Sequence, residues 1–450
     1  MTKTLLNDLN KDQQEVVIHT EGPTLILAGA GSGKTRVLTY KVAYLIEEKH
    51  VDPSNILMVT FTNKAAGEMK ERIVRLLSSS QDLRTTNYEL PFAGTFHSLC
   101  AKILRKEGNA IGVPVNFLIY DQNDQLDVVK DVMKELDISL KNFNPGAILH
   151  TISEAKNELI SATEYPQYSR GYFQEVVAQV YLAYQKKLKE NTALDFDDLL
   201  SVVVALFQKF PDILGAYQEK YRYILVDEYQ DTNKAQYVLS TLLAGRYKNI
   251  TVVGDASQSI YRFRGADFRN IVNFKTQYPD MKKFHLEQNY RSTQTILDAA
   301  HAVISKNTSH PILKLWTEKK EGPAITTYEA RTEHDEATFI VTSMLQSNQP
   351  FNDFAILYRT NAQSRVIEEA FLHAGIPYTL VGGTRFYERK EIKDVLSYLR
   401  LVAHPKDTVS LKRIEKIGKK KMEKFISWRN AIDTDKKLIN FTTLELLDTV

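Results

Sequence analysis

Residues 28–35 read Ala28-Gly29-Ala30-Gly31-Ser32-Gly33-Lys34-Thr35, a glycine-rich string ending in a lysine and a hydroxyl residue. The chemistry open to such a string is the cradling of a polyphosphate. Glycines let the backbone approach the anion, amide N–H groups and the N-terminus of a following helix favour its charge, Lys34 reaches the β- and γ-phosphates, and Thr35 offers a hydroxyl to Mg²⁺. Ala28 stands where the strict pattern has glycine, a mild departure because a small residue suffices at the end of a strand. The competing reading is a plain glycine-rich turn. An apolar run from Pro23 to Leu27 before the string and a helix-patterned segment after it favour phosphate binding.

A second constellation is Tyr223-Ile224-Leu225-Val226-Asp227-Glu228. An apolar strand that ends in two carboxylates delivers them to the carboxyl edge of a parallel sheet, where ligands bind in open α/β folds. Asp227 would hold Mg²⁺, and Glu228 would accept a proton from the water that attacks a γ-phosphate. In-line phosphoryl transfer needs the metal, a positive clamp and a positioned water together, and this pair supplies what the glycine string lacks. The long separation between Lys34 and Asp227 calls for an insertion within one βα domain.

The elements that must position these groups alternate between strand and helix, which argues for an α/β fold with parallel sheets. Asn55 to Thr60 reads as a strand, and Lys64 to Leu77 as a helix with Ala65, Met69, Ile73 and Leu77 on one face. From about Ala101 to Asn191 the pattern is mostly helical, with Phe173, Val176, Val177, Val180, Tyr184 and Leu188 at helix spacing. Strands return at Tyr223 to Val226, Ile250 to Val253 and Lys283 to Leu286. A second α/β segment begins after Arg291, with strands expected near Ala324 to Tyr328 and Asp353 to Tyr358.

The 450 residues, 43% hydrophobic, can bury several cores, and a net charge of +3 confines any nucleic-acid site to a local groove. The single cysteine, Cys100, excludes an internal disulfide framework and reads as a buried thiol in a reducing cytosol. No stretch approaches the roughly 18 apolar residues of a membrane helix, and the N-terminus lacks a signal-peptide core, so a cytoplasmic protein with no membrane partner is expected. His97 has no cysteine or acidic partner at metal-ligand spacing. The lysine-rich stretch Lys412 to Lys424 reads as a solvated helix face, with a duplex-DNA contact as the alternative.

In order along the chain, several motifs resemble those of UvrD/Rep/PcrA-type superfamily-one DNA helicases. Leu9-Asn10-Lys11-Asp12-Gln13 resembles their adenine-recognising Q motif, Val59 to Ala66 their motif Ia, and Gly94 to Ser98 their motif Ib. Leu194-Asp195-Phe196-Asp197-Asp198-Leu199 is similar to the motif that follows their insertion, Val226 to Thr232 to motif II, Val253 to Gly265 to motif III, and Leu286 to Ser292 to motif IV. Tyr358 to Arg365 resembles a motif of the second lobe. The match spans roughly residues 9 to 400.

The resemblance implies a P-loop NTPase fold of RecA-like type. A parallel-sheet lobe over residues 1–104 and 191–290 carries a helical insertion at 105–190, followed by the first part of a second RecA-like lobe at 291–400 and the start of a second helical insertion at 401–450. It implies ATP as substrate with Mg²⁺. Gln13 would pair with the adenine edge, Tyr290 would stack on the base with Arg36 nearby, Arg291 would reach the γ-phosphate, and Gln258 would sense it. It implies a single-strand track with base-stacking aromatics beside polar groups. That track would hold Phe61, Thr62 and Asn63, Thr95 and His97, Phe196, Tyr261, Phe263 and Arg264, with Arg359 and Asn361 in the second lobe. Phe263 stands where relatives often carry Trp, and Phe61 and Phe196 have the alternative of core packing.

The activity implied is a 3′→5′ DNA helicase acting on single strands and single-strand/duplex junctions, with repair or replication proteins as partners. Alternatives are the motor of a helicase–nuclease subunit, an ATP- and DNA-binding module without turnover, and a small-molecule P-loop kinase. The family's Thr-x-His-x-x-Lys-Gly motif and later arginine-rich motif are not found before Val450, so the chain is expected to lack the C-terminal motor motifs.

Overall fold

The computed structural model describes residues 5–78, 90–262, 265–310, 312–381 and 390–431. They belong to two units, Met1–Gly322 together with Leu399–Val450, and Pro323–Tyr398.

The first unit is built on a six-stranded sheet of β1 (Thr24–Ala28), β2 (Ile56–Thr60), β3 (Phe92–Thr95), β6 (Tyr223–Val226), β7 (Ile250–Gly254) and β8 (Lys282–Leu286), in the order β3-β2-β6-β7-β1-β8. Every pairing is parallel. Side chains alternate across a strand, and both faces are used. Leu25, Leu57, Val59, Ile224 and Val252 enter one core, while Ile26, Met58, Leu225 and Val253 enter the other. A sheet covered on both faces needs apolar residues at successive positions, which is why these strands read as unbroken apolar runs. The outer strand β8 is different: Lys282, Lys283 and His285 are exposed and keep that edge polar. The helix Asn63–Ser78 buries Met69, Ile73 and Leu77 as expected, but Ala66 and not Ala65 completes the buried face. Cys100 is fully buried.

Between β3 and β6 the chain makes the helices Gln122–Glu135, Pro145–Asn157 and Tyr172–Glu190 around a separate core containing Val129, Ile148, Val177, Val180 and Tyr184. Their starts are fixed locally. Asp121 and Asn144 accept from the first free N–H groups of their helices, and Pro145 sets the first turn of the second. Two three-residue strands, β4 (Leu118–Tyr120) and β5 (Ala193–Asp195), pair in parallel at the mouth of this segment. Neither is legible in the sequence, because three residues carry no measurable period of two.

The helix Thr408–Ile417 packs on the same helical segment, with Val409 in its core. Tyr120 donates to Asp407, Arg400 lies 2.9 Å from Asp124, and Lys412 lies 2.5 Å from Asp131. Lys412 is ion-paired yet exposed, as are Lys416, Lys419, Lys420, Lys421 and Lys424, in line with the solvated face read from sequence; residues 432–450 lie outside the described residues.

In the second unit the helices Glu333–Gln346 and Asn361–His373 close on Met344, Phe371 and Ile376, with Phe354 and Ile356 against them. The strands expected at 324–328 and 353–358 do not form. A strand exists through the ladder that satisfies its backbone, and among the described residues no segment supplies one to either stretch. Among the described residues no single helix is long and apolar enough to cross a membrane.

Candidate functional site

Parallel pairing puts the carboxyl ends of all six strands on one edge. The loop after β1 is the glycine-rich string, with Ala28 itself the last strand residue. Gly31 and Gly33 have φ of 70° and 91°, the left-handed region that glycine enters at no steric cost. A Cβ on Gly31 would lie 2.6 Å from Asn289 Nδ2 and 2.9 Å from Arg291 Cβ, so the segment after β8 leaves no room there for a side chain. Side-chain donors take three loop carbonyls: Ser32 Oγ to Gly29 O at 2.8 Å, Gln13 Nε2 to Ser32 O at 3.0 Å, and Asn289 Nδ2 to Ala30 O at 2.5 Å. Among the described residues the amides of Ala30, Gly31 and Gly33 donate to no protein acceptor. They lie beside the N-terminus of the helix Lys34–Glu47, and the arrangement is an anion cradle.

The two carboxylates stand directly across from it. Lys34 Nζ is 2.7 Å from Glu228 Oε2 and 2.9 Å from Gln258 Oε1, and Thr35 Oγ1 donates to Asp227 Oδ2 at 3.0 Å. Burial, then the neighbouring Glu228, pushes the Asp227 carboxyl up to about 6 against the opposing pull of Lys34 and Thr35. Glu228 holds φ 51° and ψ 46°, a left-handed backbone costly for a side-chain-bearing residue, and its amide donates to the Asp227 carboxylate at 3.0 Å. Asp227 N donates to Val59 O at 2.9 Å, which ties this turn to the end of β2.

Gln230, to which the sequence alone assigns no role, connects these parts. Its Nε2 donates to Glu228 Oε2 at 2.8 Å, and its Oε1 accepts from Asp255 N at 3.1 Å. Asp255 in turn accepts from Gln258 Nε2 at 2.6 Å. A Cβ at Gly254 would come within 2.7 Å of Gln230 Oε1, so that glycine makes room for the amide.

At the other end of the loop, Asn10 caps the helix Lys11–Ile18 and forms a capping box with Gln13. Asn10 Nδ2 also donates to Tyr290 OH at 2.6 Å and to Gln288 Oε1 at 3.0 Å, while Tyr290 N reaches Gly31 O at 3.0 Å. The Tyr290 ring is 44% exposed and open for stacking. Arg36 donates to Asp8 O at 2.6 Å and lies over Tyr40. The Arg291 guanidinium is solvent-facing and has no bonding partner among the described residues, although its Cβ touches the loop. Asn10 and Asn289 were also missed, since a lone asparagine gives no signal until the strands bring its partners near.

Along the same edge, Phe61 after β2 stacks on Tyr261 with ring centroids 5.3 Å apart. His97 meets Phe196 edge to face at 5.9 Å. Phe196 is 46% exposed, which rules out core packing for it. Burial pushes the His97 imidazole down to about 4, so it is neutral at physiological pH. Thr62 and Thr95 accept from the first turns of their helices, and Asn63 opens the first of these. Phe263 and Arg264 lie outside the described residues. Arg359 and Asn361 belong to the second unit, both exposed, at the start of its second helix.

Comparison with known proteins decides the family. Residues 9–279 match the UvrD/REP helicase N-terminal domain. The chain belongs to the UvrD/REP helicase family. Residues 284–448 match the UvrD-like helicase C-terminal domain. The expectation that the chain lacks the C-terminal motor segments is therefore not supported. The chain is 50% identical over 419 residues to the ATP-dependent DNA helicase PcrA of Staphylococcus aureus (strain Mu50), covering 92% of this chain and 56% of that protein. It is 51% identical over 424 residues to the protein of the same name from Bacillus subtilis (strain 168), covering 93% and 56%. The chain thus spans about half the length of these relatives.

Proposed function

We propose that this chain binds ATP in the loop after β1 and hydrolyses it as the motor of a DNA helicase that moves 3′→5′ on single strands and opens duplex at junctions. The observation that carries the reading is the meeting of Lys34, Thr35, Asp227, Glu228 and Gln258 at one sheet edge. The Thr35 hydroxyl and the Asp227 carboxylate are hard oxygen donors 3.0 Å apart beside the anion cradle, a set suited to Mg²⁺. Mg²⁺ held there would neutralise phosphate charge as it develops.

The chain's own groups do the rest. Lys34 is paired with Glu228. A bound γ-phosphate competes for that ammonium, and its departure frees Glu228 to take the proton of the attacking water while Gln230 holds the carboxylate in place. Gln258, bonded to Lys34 and Asp255, then reports the phosphate to the loop that carries Tyr261. Gln13 and Tyr290 hold the adenine, and Arg36 lies beside it. Arg291 turns its guanidinium to the γ-phosphate. Phe61, Tyr261, His97 and Phe196, with the polar groups of Thr62, Asn63 and Thr95, form the strand track, and Phe263, Arg264, Arg359 and Asn361 are proposed as further strand contacts. Repair or replication in the cytoplasm is the setting that suits this activity.

The test is phosphate release by the purified chain with Mg²⁺-ATP, with and without a single-stranded oligonucleotide. DNA-stimulated release is expected. Nucleotide and DNA binding without release would leave a binding module and overturn the proposed turnover.

A further inference from the structure

The amino edge of the sheet, opposite the nucleotide loop, holds a second concave site of about 440 Å³. Its walls are Phe92 at the start of β3, Leu99 and Ile103 from the helix Phe96–Glu107, and Tyr217 and Tyr221 at the end of the helix Pro211–Lys220. Four lysines line it: Lys70, Lys102, Lys106 and Lys220. Helical spacing explains part of the set, since positions 99, 102, 103 and 106 share one face and alternate apolar wall with cation.

Among the described residues the charge here is unbalanced: none of those lining the cavity is a carboxylate, and Lys106 alone has an acidic partner, Glu107 at 3.0 Å. The ammonium groups rest against ring faces instead, Lys102 at 4.8 Å from Phe92, Lys220 at 5.3 Å from Tyr221 and Lys106 at 5.8 Å from Tyr217. Among the described residues neither the Tyr217 nor the Tyr221 hydroxyl has a protein partner. Burial, with Glu107 adding, pushes the Tyr217 phenol up to about 12, and burial raises Tyr221, so both remain O–H donors.

We propose that this cavity is an anion site for a polyphosphate ligand of nucleotide size. The lysines and phenol donors take the phosphates, and the aromatic and aliphatic walls take an apolar or aromatic body. The volume suits a mononucleotide, and the site is concave, which favours a small ligand over a peptide strand. It is distinct from the loop after β1. A strand of four residues spans roughly 13 Å, so Phe92 and Tyr223 are a full sheet height from Thr95 and Asp227.

Equilibrium dialysis with ADP and, separately, with inorganic triphosphate tests the site in the Lys34→Ala chain, where the first-edge loop is disabled. One remaining site is expected, weakened by roughly tenfold or more when Lys102→Glu and Lys220→Glu are added, with the thermal transition of the folded chain unchanged. Triphosphate binding as tightly as ADP assigns the affinity to phosphate alone, and tighter ADP assigns part of it to the base. No remaining site, or one indifferent to the two lysine changes, overturns the proposal. Binding of an acidic aromatic peptide in place of either anion also overturns it. If Lys34→Ala retains two sites of which the lysine changes remove one, the loop assignment fails and the cavity assignment stands.

Discussion

Gln230 shows how much a single amide can hold. Buried to 1% exposure, it bonds the side chain of Glu228 and the backbone of Asp255 at once, so the position of the candidate base and of the Gln258 loop is set by one side chain. Gln230→Met keeps the volume and removes both bonds. It is expected to leave nucleotide affinity in place and lower kcat by roughly tenfold or more, measured by steady-state phosphate release beside an ATP-analogue titration. Gln230→Glu keeps the acceptor for Asp255 but sets a second carboxylate against Glu228, and a similar loss is expected; wild-type kcat in both variants would remove the role. A second expectation concerns His97. With its imidazole held near 4 by burial, the protonated fraction between pH 8 and pH 6 stays small, so His97→Gln is expected to leave the pH dependence of single-strand affinity over that range unchanged. A change in slope in anisotropy titrations would contradict a neutral His97. Lys34, Thr35, Asp227 and Glu228 were legible because each pair is contiguous and sits at a strand end. Gln230, Asn10 and Asn289 were not, because each has a partner on a segment far away in sequence, Asp255, Tyr290 and Ala30 respectively, that only the folded sheet brings near.

Among elements, the helical segment is fastened to the rest of the first unit by a buried ion cluster. Lys156 Nζ lies 2.6 Å from Asp195 and 2.7 Å from Asp198, and Tyr184 OH donates to Asp195 at 2.9 Å. Lys156 holds Asp195 below the ordinary carboxylate range, while burial pushes Asp198 up to about 6 and the adjacent Asp197 up to about 7. Lys156→Met leaves two buried carboxylates unpaired and is expected to cost about 3–5 kcal/mol at neutral pH. The sign with pH follows. In the variant both carboxyls titrate above their unfolded value, the folded state binds the extra protons, and the deficit grows as pH rises from 5 to 8. Thermal unfolding of variant and parent at the two ends of that range measures it; an equal deficit at both would contradict the account. The aromatic pair after β2 and β7 makes a different prediction. Tyr261→Ala is expected to weaken mixed-sequence and oligo-dT strands alike by roughly 1–3 kcal/mol, and unchanged affinity at matched salt would return Phe61 and Tyr261 to packing. The long strands of the sheet were legible because both-face burial makes them apolar runs. The expected strands at 324–328 and 353–358 were misread because alternation says nothing of whether a ladder partner exists.

At the scale of the molecule, one geometric fact organises the rest. Six parallel strands end on the same edge, so loops far apart in sequence bring the glycine-rich loop, two carboxylates, Gln258 and the stacked pair Phe61 and Tyr261 together. The helical segment between β3 and β6 accounts for the distance along the chain from Lys34 to Asp227 without disturbing that edge. Family membership agrees with this arrangement over residues 9–279, and the C-terminal match over 284–448 replaces the expectation of missing segments.

The proposed turnover by Glu228 of ATP held by Lys34 and Thr35 is decided by the Glu228→Gln variant. Its affinity for a fluorescent ATP analogue and its DNA-stimulated phosphate release are measured beside the parent chain. Affinity is expected to be kept or tightened, because Lys34 loses its competing carboxylate, and kcat to fall by roughly 10²-fold or more. Phosphate release equal to that of the parent chain, at equal affinity, would contradict it.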